Sequence, residues 1–202
     1  MNACLEPAFD KVFDTQRIYR LMLDALARPG KLRTLPGLDI CPPNGLNRYA
    51  AGLGFTLLDS ETTFAVLPED DDWRDYFSLN TGVKPATPEA AEFILLRGGE
   101  YLPEIARVNR GTLLSPEEGS TLFVLVDAIG GTQPGAVKLT LAGPGIKELA
   151  QVAVVGLHPL NLAAICSRQE YPLGVDCFFV DAEGIMLAMP RSATVQWEEV
   201  PG

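Results

Sequence analysis

An α/β domain is the fold class to which the patterns of this chain point. Apolar residues recur at helical spacing in some stretches and form short β-branched or alternating runs in others, and Gly- and Pro-rich breaks separate the two kinds. At 202 residues the chain is long enough for one domain, taken as residues 1–202. Such a domain buries roughly 70% of the surface its unfolded form exposes, so it needs neither a metal nor a disulfide to hold a core.

Taken in order, Asp14 to Arg28 carries Ile18, Leu21, Met22, Ala25 and Leu26 on one helical face, with Asp14 as the expected N-cap and Pro29-Gly30 as the stop. The other face carries Arg17, Arg20, Asp24 and Arg28, a basic stripe that is either a solvated face or a contact surface for an anionic ligand or acidic partner. After a proline-rich connection, Leu35 to Asn44, a second helix is expected over Leu46 to Leu57. Gly52 and Gly54 inside it suggest close approach of another backbone. Thr62 to Leu67 reads as the first strand. Glu69 to Asp72 reads as the acidic start of a helix over Trp73 to Leu79, since adjacent acids lack the spaced ligands of a calcium loop.

Thr87-Pro88-Glu89 opens a turn or short helix, Glu92 to Leu96 a strand, and Leu102 to Val108 a short helix followed by Arg107 and Arg110. Thr121 to Val126, TLFVLV, has the composition of a central strand, and Ala136 to Leu141 is expected to return as its hairpin partner with one wetter face. Gly143-Pro144-Gly145, read with a helix start at Ile146, is either a structural turn or a backbone-NH site for an anion. Pro159 to Ser167 reads as a helix with Leu160, Ala163, Ala164 and Ser167 inward. Val175 to Val180, the turn Asp181 to Gly184 and Ile185 to Met189 form a hairpin. Pro190 ends that return strand, which places Arg191 near Asp176 as an ion pair or as a pair of ligand contacts.

The chain holds 16 Lys and Arg against 26 Asp and Glu, a net charge of −10 that argues against free association with nucleic acid or anionic membrane. No apolar run has membrane-span length and the N-terminus lacks a signal pattern, so a soluble cytoplasmic protein is expected. Cys4, Cys41, Cys166 and Cys177 have no CxxC spacing and are read as structural thiols. His158 is the single histidine and precedes Pro159, which favours a role in opening the helix over general-base catalysis. No lysine sits in a cofactor box, and there is no GxSxG elbow. What remains for anion recognition is arginine, with Arg17, Arg20, Arg107, Arg110, Arg168 and Arg191 as the candidates.

The stretches DTQRIYRLMLDALARPG, SPEEGSTLFVLVD, LTLAGPGI and PLGVDCFFVDAEGIMLAMPR, in this order, resemble the PhnH family of the bacterial carbon-phosphorus lyase system. The matching positions are Gln16, Arg20, Pro29, Gly30, Gly143, Gly145, Gly174, Asp176, Pro190 and Arg191, and the resemblance assigns them no roles. It implies a central mixed sheet flanked by helices, similar in outline to pyridoxal-phosphate-dependent transferases without their cofactor machinery. It also implies a homodimer that joins G, I and J subunits in a core complex assisted by K and L. In that system a phosphonate is transferred to C1′ of the ATP ribose and adenine is displaced, with ATP and phosphonate as substrates of the complex. The expectation is therefore a non-catalytic structural subunit, inactive alone and binding no cofactor, nucleic acid or membrane. The alternative is a subunit that itself binds or converts phosphonate or nucleotide, with Arg191, Asp176, Gly143, Gly145 and Arg20 as ligand contacts.

Overall fold

The computed structural model describes residues 4–131, 133–167 and 170–200, so Arg168 lies outside the described residues. Its elements are α1 (Phe13–Ala27), β1 (Arg33–Thr34), α2 (Arg48–Leu57), β2 (Thr63–Leu67), α3 (Asp71–Thr81), β3 (Lys84–Pro85), β4 (Phe93–Arg97), β5 (Thr121–Leu125), β6 (Ala128–Ile129), β7 (Val137–Ala142), β8 (Ala150–Val155), α4 (Pro159–Cys166), β9 (Asp176–Val180), β10 (Ile185–Met189) and β11 (Thr194–Glu199). Short 3₁₀ turns occupy Pro103–Arg107 and Pro116–Glu118.

A seven-stranded sheet runs in the order β1-β10-β9-β5-β4-β2-β3. It is mixed: β3, β2, β4, β5 and β9 pair in parallel, and β10 and β1 join antiparallel at one edge. Alternate residues feed opposite sides. Phe64, Leu95, Phe123 and Phe178 face the layer that contains α1, α2 and α3, whereas Leu67, Ile94, Val124 and Phe179 face a second core. That second core lies under α4 and under an antiparallel four-stranded sheet, β11-β7-β8-β6. Strands buried on both faces read as near-continuous apolar runs, which is why β4, β5 and β9 lack alternation in sequence.

The helices form where their patterns put them, but their ends are set by unanticipated groups. In α1, Ile18, Met22 and Ala25 are buried as expected. The Asp10 carboxylate, not Asp14, accepts from the amides of Val12 and Phe13 at 2.8 and 2.9 Å, and Asp14 falls in the first turn. Asn47 caps α2 and Asp70 caps α3, and Gly82 ends α3 in the left-handed conformation. Within α2 the glycines make room for side chains and not for a backbone: a Cβ at Gly52 would run into Leu38, and one at Gly54 into the ring of Phe77.

The expected hairpin between TLFVLV and Ala136–Leu141 does not form. β5 is buried on both faces and takes parallel neighbours on each side, whereas β7 alternates buried Val137, Leu139 and Leu141 with half-exposed Lys138 and Thr140, a pattern suited to a sheet covered on one face. Short β6 carries the chain from one sheet to the other. No helix starts at Ile146 either; Gly143 to Gly145 turn β7 into β8, a strand the sequence reading passed over, as it did β11. In α4 the inward residues are Asn161, Leu162 and Ile165, while Leu160 and Ser167 point outward. The polar Asn161 is tolerated there because its amide meets Leu102 N, Gly98 O and Glu100 O at 2.8, 3.2 and 2.6 Å.

Glu6 ties the N-terminal segment to this framework: its carboxylate accepts from Tyr76 Oη and from the Cys41 amide, both at 2.9 Å. Burial, together with that hydrogen bond and charge, pushes the Tyr76 phenol well above its ordinary value.

Two measurements follow from this packing. Gly54→Ala should lower stability by roughly 1–2 kcal/mol in denaturant titration, because overpacking against Phe77, itself wedged between Phe55 and Phe64, exceeds the helix-propensity gain of about 1 kcal/mol. The Tyr76 proton is held more tightly folded than unfolded, so its contribution is complete below about pH 10 and declines by up to about 1.4 kcal/mol per pH unit above it. The stability difference between wild type and Tyr76→Phe should shrink correspondingly as pH rises past that point.

Candidate functional site

β9 opens with Asp176 and β10 closes at Met189, whose Cα partner is Cys177, so the chain just past Pro190 returns beside the start of β9. Asp176 Oδ1 accepts from the backbone amide of Arg191 at 2.8 Å, and Oδ2 accepts from Nε and Nη2 at 3.1 and 2.8 Å. The pair is only 15% and 24% exposed. Nη1 donates to Pro116 O, and Nη2 also donates to Gly119 O at 3.2 Å. Every nitrogen of the guanidinium is thus engaged by a protein oxygen, an arrangement that uses the planar fork of arginine and that lysine cannot reproduce.

What this clamp holds is the segment leading into β5. A Cβ at Gly119 would lie 2.5 Å from Gly174 O and 2.7 Å from Arg191 Nη1, so only glycine lets this segment pass so close. Ser120 N donates to Asn109 O, Gly174 N to Arg110 O and Asp176 N to Ser120 O, which closes the loop onto the strand starts. Arg110 is also turned inward, with Nη2 donating to Ala164 O at 2.9 Å near the carboxyl end of α4, where the helix dipole favours a cation. At the crest of the loop, Leu113 and Leu114 are 78% and 95% exposed.

The other residues singled out in the sequence are only partly brought together. Gly143 lies against Ser192 and Ala193, close in sequence to Arg191. Gly145 packs on the end of α1, where a Cβ would strike Ala27 O and crowd Pro29. That contact borders an open cleft of about 570 Å³ lined by Arg28, Lys31, Lys147 and Glu148. Arg20 sits on the exposed face of α1, as does Arg17. Asp24 pairs with both Arg28 and Arg33, so the basic stripe is partly neutralised from within.

Sequence reasoning missed Arg97. It ends β4 at the carboxyl edge of the parallel strands, next to β2, where the chain order reverses and where ligands of open α/β sheets commonly bind. Its guanidinium pairs with Asp70 at 2.6 Å and lies 4.3 Å from the centroid of the Trp73 ring. Asp70 at the same time accepts from Trp73 N. A cleft of about 320 Å³ opens alongside, between Phe64–Leu67, Asp70, Arg74 and Pro85–Pro88. The available signal was an arginine placed between a strand and Gly98-Gly99, opposite an acidic helix start.

Among the described residues, no group of three or more His, Cys, Asp or Glu side chains is arranged to hold a metal. His158 Nδ1 accepts from Leu160 N at 3.2 Å and so caps α4, the role expected of it. Burial pushes the Cys166 thiol up to about 11 and raises that of Cys177, which makes both poor nucleophiles. Cys4 and Cys41, in contrast, are exposed and do not fit the reading of buried structural thiols.

A protein-family model described as bacterial phosphonate metabolism protein (PhnH) matches residues 7–196. The chain is 28% identical over 193 residues to the alpha-D-ribose 1-methylphosphonate 5-triphosphate synthase subunit PhnH of Rhizobium meliloti (strain 1021), covering 94% of each chain. It is 30% identical over 188 residues to the provisionally named C-P lyase subunit protein HtxG of Stutzerimonas stutzeri, covering 89% of this chain and 85% of that one.

Removing the clamp should unseat the loop that it holds. Arg191→Ala removes the guanidinium from Asp176 Oδ2 and from the Pro116 and Gly119 carbonyls, while the backbone amide still serves Asp176 Oδ1, and is expected to cost roughly 2–4 kcal/mol in chemical denaturation. Arg191→Lys should recover less than half of that loss, because one ammonium cannot serve Asp176, Pro116 and Gly119 in their present geometry.

Proposed function

From the premise that the chain belongs to the PhnH family of bacterial phosphonate metabolism proteins, we propose that it is a non-catalytic, structural subunit of a carbon-phosphorus lyase core complex. Its place there is to support transfer of a phosphonate to C1′ of the ATP ribose with release of adenine. The observation that carries this reading is the clamp: half-buried Arg191 has each of its guanidinium nitrogens on a protein oxygen, and what it steadies is a loop that offers two leucines to solvent. Exposed apolar side chains on a fixed loop suit contact with another protein. The name of the Rhizobium relative, a synthase subunit, supports the same reading.

In this proposal residues 1–202 act as one PhnH-like domain, in outline a cofactor-free relative of pyridoxal-phosphate-dependent transferases. It works in the cytoplasm as a homodimer beside G, I and J subunits. ATP and phosphonate are substrates of the assembly and not ligands of this chain. No helix among the described residues is long and apolar enough to cross a membrane, which is compatible with that setting.

Co-purification with the other core subunits tests the proposal. The wild-type chain should join them stoichiometrically, and the assembly should release adenine from ATP when methylphosphonate is present. The isolated chain should release none and should give no calorimetric heat with either compound. The double variant Leu113→Ser, Leu114→Ser should keep its melting temperature but lose affinity by about 100-fold or more, as expected when two leucines of roughly 1.5–3 kcal/mol each are lost from an interface. Adenine release by the isolated chain, or heat with methylphosphonate that disappears in Arg191→Ala, would instead establish a substrate-binding or catalytic subunit.

A further inference from the structure

Two exposed cysteines far apart in sequence meet at one edge of the helical layer. The Cys4 thiol lies 3.8 Å from Glu6 Oε1 and 3.9 Å from the carbonyl oxygen of Cys41, and both cysteines are exposed. A carbonyl oxygen lies roughly 2.4 Å from its own Cα, so the Cys4 sulfur is within roughly 6.3 Å of the Cys41 Cα. The meeting is held in place from several directions. Glu6 accepts from the Cys41 amide and from Tyr76 Oη, Glu6 N donates to Asn80 Oδ1, and Asn80 Nδ2 donates to Cys4 O, each at 2.9 Å. Tyr76 and Asn80 belong to α3, so a helix of the core fixes the segment that carries one thiol against the connection that carries the other.

We infer that Cys4 and Cys41 form a reversible thiol–disulfide pair, a staple between the N-terminal segment and the connection that precedes α2. The oxidant is a low-molecular-weight disulfide such as oxidised glutathione. One cysteine thiolate attacks a sulfur of that disulfide, forms a mixed disulfide and expels one glutathione thiolate. The second cysteine thiolate then attacks the protein sulfur and expels the other. The two cysteines lose two electrons and two protons, and two glutathione thiols gain them. Cys177 is buried and Cys166 is largely covered, so neither competes. The staple also fixes one wall of a cleft of about 280 Å³ bounded by Glu6, Phe9, Phe55 and Asn80.

Incubation of the full-length chain with oxidised glutathione under native conditions, followed by thiol titration after unfolding, tests this. The four thiols of the reduced chain should fall by half, peptide mapping should find Cys4 joined to Cys41, and dithiothreitol should restore the original count. Protease cleavage ahead of α1 should slow by about tenfold on oxidation, as expected when a cross-link restricts local opening. Cys4→Ser and Cys41→Ser should each abolish the linkage and the protection, whereas Cys166→Ser should keep both. Retention of all four thiols, glutathione adducts without a cross-link, or linkage through Cys166, Cys177 or a second chain would overturn the inference.

Discussion

Burial of the central parallel strands on both faces is the constraint on which the rest of this structure depends. β4, β5 and β9 expose almost no side-chain surface, and a sheet with two apolar faces is stable only if both are covered. One cover is the layer of α1, α2 and α3, whose buried faces meet Phe64, Phe123 and Phe178. The other is assembled from α4 and an antiparallel sheet with one apolar face and one wetter face. Each fully buried aliphatic or aromatic side chain contributes about 1.5–3 kcal/mol, so neither cover can be dispensed with. The parallel strands also leave their carboxyl ends at one edge, where Arg97, Asp70 and Trp73 meet, and their amino ends at the other, where Asp176 receives Arg191.

The charge economy of the chain fits an inward use of arginine. A net charge of −10 repels anions at long range, and Arg33, Arg97, Arg110 and Arg191 are all turned toward protein carboxylates or carbonyls. Partly buried pairs of this kind fix geometry more reliably than they add stability, since desolvation offsets much of their attraction. In the Asp176–Arg191 pair the geometry that is fixed is a loop, which carries exposed Leu113 and Leu114 beside the acidic Glu117 and Glu118. The clamp has the residue types of an anion site, but each guanidinium nitrogen is already engaged by a protein oxygen.

Local signals were legible where one pattern had one structural outcome. The amphipathic spacing of Ile18, Met22 and Ala25, the turn chemistry of Asp181 to Gly184 and the stop at Pro190 each led to the observed element, and the Asp176–Arg191 contact followed from the hairpin register. Patterns with two outcomes were not resolved. TLFVLV suits a central strand in either a parallel or an antiparallel sheet, and only its actual neighbours, β4 and β9, distinguish them. AQVAVV was passed over because the Gly-Pro-Gly turn before it resembles a helix start as much as a hairpin, and packing on β7 decides the matter. Gly54 suggested a neighbouring backbone, but the group that needs its missing Cβ is the ring of Phe77.

By itself the sequence determined that this is an α/β chain of the PhnH family, with its main helices, its terminal hairpin and an arginine set against an aspartate. Those properties rest on spacing within a few turns or on a two-residue register, which no distant contact alters. The tertiary structure alone decided that the strands divide between two sheets, that Arg191 closes on Pro116 and Gly119, and that Cys4 lies beside Cys41. Each of these joins segments tens of residues apart, and such pairings are selected by burial and by hydrogen-bond satisfaction over the whole fold.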